Sequence, residues 1–141
     1  MKESFTILIA DRNPHVREFL KREMMTEGYR VGLARNAREI LKWIDHYKNF
    51  DLLIVDPDLP DAGEVDILDR LQGRIPILPV VVHTFLPDYK NHSFVLNFAA
   101  FVEKEGNNID RLKEVVSEIL KKSYPQRFET VKESHGVNSQ T

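Results

Sequence analysis

The chain has 141 residues, 42% of them hydrophobic and 30% charged, with a formal net charge of −2 and no cysteine. That length supports one domain with a substantial core, and the composition excludes disulfides and thiolate chemistry. The charge balance gives no global attraction to nucleic acid or to an anionic membrane. No stretch approaches the length of a membrane-spanning helix and no signal peptide is visible, so a cytoplasmic protein is expected.

Phe5 to Ala10 reads as a buried strand ending at Asp11. Asn13-Pro14 follows as an N-cap with proline at the first helical position. Val16, Phe19, Leu20 and Met24 then recur at helical spacing, and Gly28 stops the helix. Tyr29 to Ala34 reads as a second strand. Asn36 caps a second helix whose apolar face is Ala37, Ile40, Leu41 and Ile44. Trp43 and Tyr47 lie beside that face, where packing is the simpler reading than partner binding.

The third strand, Asp51 to Val55, is the most informative. Its apolar run Leu52 to Val55 has the continuous character of a strand buried on both faces, and it ends abruptly in Asp56. Asp58 lies two residues on, and Pro60 closes the turn. A third helix is expected over Gly63 to Leu71. A fourth strand follows over Pro79 to Thr84 and a fourth helix over Asp88 to Asn97. A short fifth strand, Ala99 to Glu103, ends at Lys104. Asn108 is read as the cap of a last helix with Ile109, Leu112, Val115, Val116, Ile119 and Leu120 on one side. Residues 123–141 are polar and read as a disordered tail beyond a domain spanning 1–122.

Strand and helix alternate five times. The pattern predicts an α/β fold, a doubly wound five-stranded parallel sheet with five helices. Right-handed crossovers bring all strand carboxyl ends to one edge, where ligands bind in open sheets of this kind. Asp11, Asp56, Thr84 and Lys104 should converge there. The five histidines show no metal-ligand spacing, and His83 reads as a packed strand residue.

Four segments, Ile7-Leu8-Ile9-Ala10-Asp11, Asp51 to Pro60, Val80 to Thr84 and Phe101-Val102-Glu103-Lys104, together resemble the receiver domain of two-component response regulators. The resemblance covers roughly residues 5 to 122. It implies the flavodoxin-like strand order 2-1-3-4-5 and a signalling module rather than an enzyme. By that resemblance, Asp56 is the phosphoacceptor, supplied by a histidine kinase or phosphotransfer protein. Thr84 is the hydroxyl that meets the phosphoryl group and couples it to conformational change. Phe101 is the switch aromatic, and Lys104 neutralises phosphoryl charge. Asp11 is the first of two acids that help hold Mg²⁺, with Asp56 and, more weakly, Asp58 as further metal candidates. A downstream protein partner is implied, and a homodimer is compatible with the reading.

The chain departs from the family pattern at Arg12, which stands where a second acid contributes directly to the metal. The replacement changes the pocket by two unit charges. One unit at ~4 Å is worth about 4 kcal/mol at an effective dielectric of about 20, so Mg²⁺ affinity should fall steeply. Arg12 is expected to swing outward or to pair with Asp56 or Asp11 in place of the metal. Phe85 follows Thr84 where the family has a small residue, and Glu105 follows Lys104 where proline is common. The alternative to phosphoryl transfer is therefore a phosphorylation-independent interaction module. A haloacid-dehalogenase-type phosphatase shares the Asp56-Pro57-Asp58 spacing, but its motif follows the first strand and needs a later acidic pair. No G-x-G-x-x-G follows any strand, which sets aside dinucleotide binding.

Overall fold

The computed structural model describes residues 5–47, 50–61, 70–71, 77–85, 100–105 and 108–128. Five strands, β1 (Thr6–Ala10), β2 (Arg30–Ala34), β3 (Leu52–Val55), β4 (Val80–Thr84) and β5 (Ala100–Glu103), form one sheet. Every pairing is parallel and the order is β2-β1-β3-β4-β5, as the sequence implied. Successive side chains of a strand point to opposite faces. Ile7 and Ile9 of β1 enter one core with Leu20, Met24, Leu112 and Val116, while Leu8 and Ala10 enter another with Ala37 and Ile40. Both faces are thus covered, which is why the central strands read as unbroken apolar runs.

Helix α1 (Pro14–Thr26) starts where the sequence predicts, with Asn13 Oδ1 accepting from His15 N at 2.9 Å. Its chain reverses at Gly28, whose φ of 91° suits a residue without a Cβ. Helix α2 (Ala37–Lys42) is capped by Asn36, which accepts from Glu39 N at 2.9 Å, and it continues into a π-helical turn, Trp43–Tyr47. Asp61 adds a second cap from beyond β3, accepting from Ala37 N at 2.7 Å and Arg38 N at 3.0 Å. The expected helix over Asp88 to Asn97 lies outside the described residues, as does all but Arg70 and Leu71 of the one over Gly63 to Leu71. The last helix is α3 (Ile109–Ser123), burying Leu112, Val115, Val116 and Leu120.

Two expectations need correction. Phe19 is 41% exposed, because α1 turns Leu20 and Met24, not Phe19, squarely into the core. Asn108 occupies the N-cap position but makes no side-chain cap; its amide donates to the Glu103 carbonyl at 2.7 Å and ties α3 to the end of β5 instead. Beyond α3 the chain packs back against the start of β1 and β3. Residues 125–128 form a further helical turn, and Tyr124 and Phe128 stack against Phe5, with centroids 6.0 and 6.4 Å away. The Tyr124 hydroxyl donates to the Asp51 carbonyl at 2.7 Å, and Arg127 pairs with the Asp51 carboxylate at 2.7 Å while lying over the Phe5 ring. Aromatic burial and a charge-assisted hydrogen bond together offset the entropy of ordering this short segment.

Candidate functional site

The backbone ladders extend one residue past the strands and so place the site. Asp11 N donates to Ala34 O at 3.1 Å, Asp56 N to Ala10 O at 2.9 Å, and Lys104 N to Thr84 O at 2.9 Å. Each polar residue is therefore fixed in register at the carboxyl edge of the sheet, the expected location of chemistry in this architecture.

At that edge Asp11, Asp56 and Thr84 are buried, with exposures of 1%, 6% and 0%. Lys104 Nζ lies 2.6 Å from Asp11 Oδ2 and 2.6 Å from Asp56 Oδ2, so one ammonium bridges both carboxylates. The contact to Asp56 is a directed hydrogen bond; the one to Asp11 is close but off axis, leaving Asp11 Oδ2 without a directed bond. The other carboxylate oxygens face their own loops. Asp11 Oδ1 accepts from Asn13 N at 2.9 Å, and Asp56 Oδ1 accepts from Asp58 N at 2.9 Å. Arg17 Nη1 donates to the Asp11 carbonyl at 2.7 Å and steadies the start of α1. Thr84 Oγ1 is buried with no hydrogen-bond partner among the described residues, an unsatisfied group that costs about 1–3 kcal/mol unless a ligand meets it.

Burial is the largest influence on Asp11 and raises its carboxyl above the ordinary value; Lys104 and the Asn13 N–H pull the other way without cancelling it. Burial also works against the charge on Lys104, but pairing with Asp11 and Asp56 outweighs it and raises the ammonium above its ordinary value. The Lys104 Nζ also lies 5.9 Å from the centre of the Phe85 ring. Phe85 is half exposed, so the bulky residue after Thr84 borders the pocket at the lysine.

Arg12 does not pair with Asp56 or Asp11. Its guanidinium sits 3.6 Å from Asp58 Oδ1, with both side chains 51% exposed at the rim. Phe101 lies half-buried on β5, paired in register with Val82. Three carboxylates here, Asp11, Asp56 and Asp58, face two cations, Lys104 and Arg12, which leaves one unit of negative charge. No three acids gather at metal-ligand spacing among the described residues. Oxygen donors suit Mg²⁺ in type, but an ammonium already bridges the two buried carboxylates and a guanidinium engages the third. The residues present do not fit a tightly held divalent ion.

His83, read from the sequence as a packed strand residue, lies close to the site. His83 of β4 lines a groove with Val16, Phe19, Phe85 and Ile109, and its Nδ1 has no hydrogen-bond partner among the described residues. Burial foremost, then the Lys104 charge, pushes its imidazole down to about 4. The unfolded chain takes up a proton near 6.5 that the native state refuses, so this contribution to stability is full above that value and is lost as pH falls towards about 4. Within that window the slope is about 1.4 kcal/mol per pH unit. The urea midpoint of wild type should therefore fall relative to that of His83→Leu between pH 7 and pH 5; equal pH slopes would assign the acid limb to another group.

The family model described as the response regulator receiver domain matches residues 7–117. Among curated proteins, the chain is similar to the DNA-binding transcriptional regulator NtrC of Bradyrhizobium sp. (strain RP501 Parasponia), 35% identical over 77 residues, covering 55% of this chain and 16% of NtrC. The chain thus spans about a sixth of that relative's length. Among solved structures, a CheY-like receiver domain protein from Methanospirillum hungatei JF-1 is 26% identical, with a TM-score of 0.71, covering 86% of this chain and 98% of that one. The response regulator TrrA of Thermotoga maritima, solved with Mg²⁺-BeF, is 29% identical with a TM-score of 0.65, covering 82% of this chain and 99% of TrrA. TrrA was also solved in complex with the histidine kinase ThkA. The match over most of the chain, on a sheet whose carboxyl edge gathers Asp11, Asp56, Thr84 and Lys104, makes this chain a member of the response regulator receiver family.

Proposed function

We propose that the chain is a phosphorylatable receiver in which Asp56 takes a phosphoryl group from the phosphohistidine of a kinase or phosphotransfer protein. The receiver unit runs through Phe128. The observation that carries the reading is the buried Thr84 hydroxyl, unpartnered among the described residues, at the same sheet edge as a carboxylate already held by Lys104. An empty hydroxyl at 0% exposure is costly in the resting state and is satisfied when an anionic oxygen arrives.

In the transfer, an Asp56 oxygen forms a bond to phosphorus as the donor's P–N bond breaks, and the leaving imidazole carries away the electron pair and gains a proton. A carboxylate attacking an anionic phosphoryl group needs its repulsion cancelled. Lys104 supplies fixed positive charge at Asp56 Oδ2. Thr84 then donates to a phosphoryl oxygen and draws β4 towards the group, with Phe101 of β5 as the switch aromatic that passes the change to a partner-binding surface.

Incubation with acetyl phosphate tests this. Wild type should gain the mass of one phosphoryl group, and Asp56→Asn should not. An unchanged mass at saturating donor removes phosphoryl transfer and leaves the phosphorylation-independent interaction module.

A further inference from the structure

A phosphoryl group on Asp56 presents three equatorial oxygens. Lys104 and Thr84 account for two of them, which leaves the third without a side-chain cation among the described residues that line the pocket. Metal charge is weak here, for the reasons of donor charge given above. A positively charged side chain stands instead at the rim. Arg12 directly follows Asp11, and its guanidinium reaches Asp58 Oδ1 at 3.6 Å, a distance too long for a tight bidentate bond. Asp58 is also the residue whose N–H holds Asp56 Oδ1, the carboxylate oxygen on the side away from Lys104. Arg12 is thus parked on the loop that carries the free side of Asp56.

On the phosphoryl-accepting reading of Asp56, we infer that Arg12 is the phosphoryl clamp of this chain: it leaves Asp58 and binds the phosphoryl oxygens on Asp56, doing the charge work that an acid and a divalent ion do together elsewhere. The chemistry favours the exchange. A half-exposed ion pair is worth ~0–1 kcal/mol, whereas a planar guanidinium matches phosphate oxygens with two parallel bonds. Among the described residues no other ion pair holds Arg12, whose parking contact is exposed to water and weakened by salt. With acetyl phosphate the step is balanced without a metal. Asp56 Oδ1 bonds to phosphorus, the P–O bond to the acetyl group breaks, and acetate leaves with the electron pair.

The test is labelling with acetyl phosphate in excess chelator and in excess Mg²⁺, read by intact mass, with Mg²⁺ binding followed separately by calorimetry. Wild type should label in chelator, with little gain from Mg²⁺. Arg12→Ala should lose about tenfold in chelator-resistant labelling, the worth of a charge-assisted bond, with Arg12→Lys between the two. Arg12→Asp should become dependent on Mg²⁺ and should bind it measurably more tightly than wild type does. Arg12 is half exposed, so these variants are expected to fold, and circular dichroism checks that they do. Labelling of wild type that chelator abolishes, with Arg12→Ala behaving identically, overturns the clamp and leaves Asp56 as acceptor. No labelling of wild type in either condition overturns both.

Discussion

Lys104→Met is expected to destabilise the fold by about 3 kcal/mol at neutral pH and to abolish labelling of Asp56. Among the described residues the lysine is the one cation in contact with both buried carboxylates, at 2.6 Å from each, and its own side chain is 12% exposed. Removing it leaves two buried anions facing one another, and breaking a buried pair in this way is among the costliest single changes. The loss should depend on pH. Burial already raises the Asp11 carboxyl, and without the lysine it rises further. A carboxyl raised in the folded state binds its proton there before the unfolded chain does, so stability returns as pH falls through the folded value. Urea denaturation at pH 7 and pH 5 should show the gap between Lys104→Met and wild type narrowing in acid. Adding Asp11→Asn to the variant should recover stability at pH 7. A gap independent of pH, unrelieved by Asp11→Asn, would mean that the lysine stabilises through packing of its stem.

The second large effect lies in β2, an edge strand of the sheet. Gly32→Ala should cost about 2 kcal/mol, because a Cβ at that position would sit 2.4 Å from the Cη2 and Cζ2 atoms of Trp43. Trp43 has little freedom to yield. Its indole N–H donates to the Leu33 carbonyl at 3.2 Å, and its ring meets Phe50 edge-on at a centroid distance of 6.3 Å. Moving the indole breaks that hydrogen bond and opens the core under the π-helical turn. Trp43→Leu should lose stability alone, yet Gly32→Ala should cost much less in its presence. That non-additivity in a double-mutant cycle is the check. Additive losses would place the strain in the β2 backbone instead.

The sheet was legible because its signal is local and repeated. Each central strand is an apolar run that stops at a polar residue, and Asn13-Pro14 and Asn36 announce their helices by chemistry that acts within three residues. The convergence of Asp11, Asp56, Thr84 and Lys104 followed from parallel topology alone. What escaped depends on contacts between residues distant in sequence. Asp61 caps α2 from the far side of β3, and Arg127 reaches back to Asp51. The polar look of residues 123–141 concealed Tyr124 and Phe128, a lone i,i+4 pair whose packing partner, Phe5, lies at the other end of the sequence. Arg12 was legible as an anomaly of charge but not of direction. A long side chain in a loop takes the partner that the neighbouring loop presents, and the turn after β3 presents Asp58.

Asp56 is the residue proposed to carry the phosphoryl group, and the chemical identity of the acceptor is directly measurable. Borohydride reduces an aspartyl phosphate to homoserine and leaves free carboxylates untouched. After incubation with acetyl phosphate and reduction, peptide mapping should find homoserine at position 56 and aspartate at Asp11 and Asp58. Homoserine at either of those two positions, or aspartate at all three under saturating donor, would contradict the account.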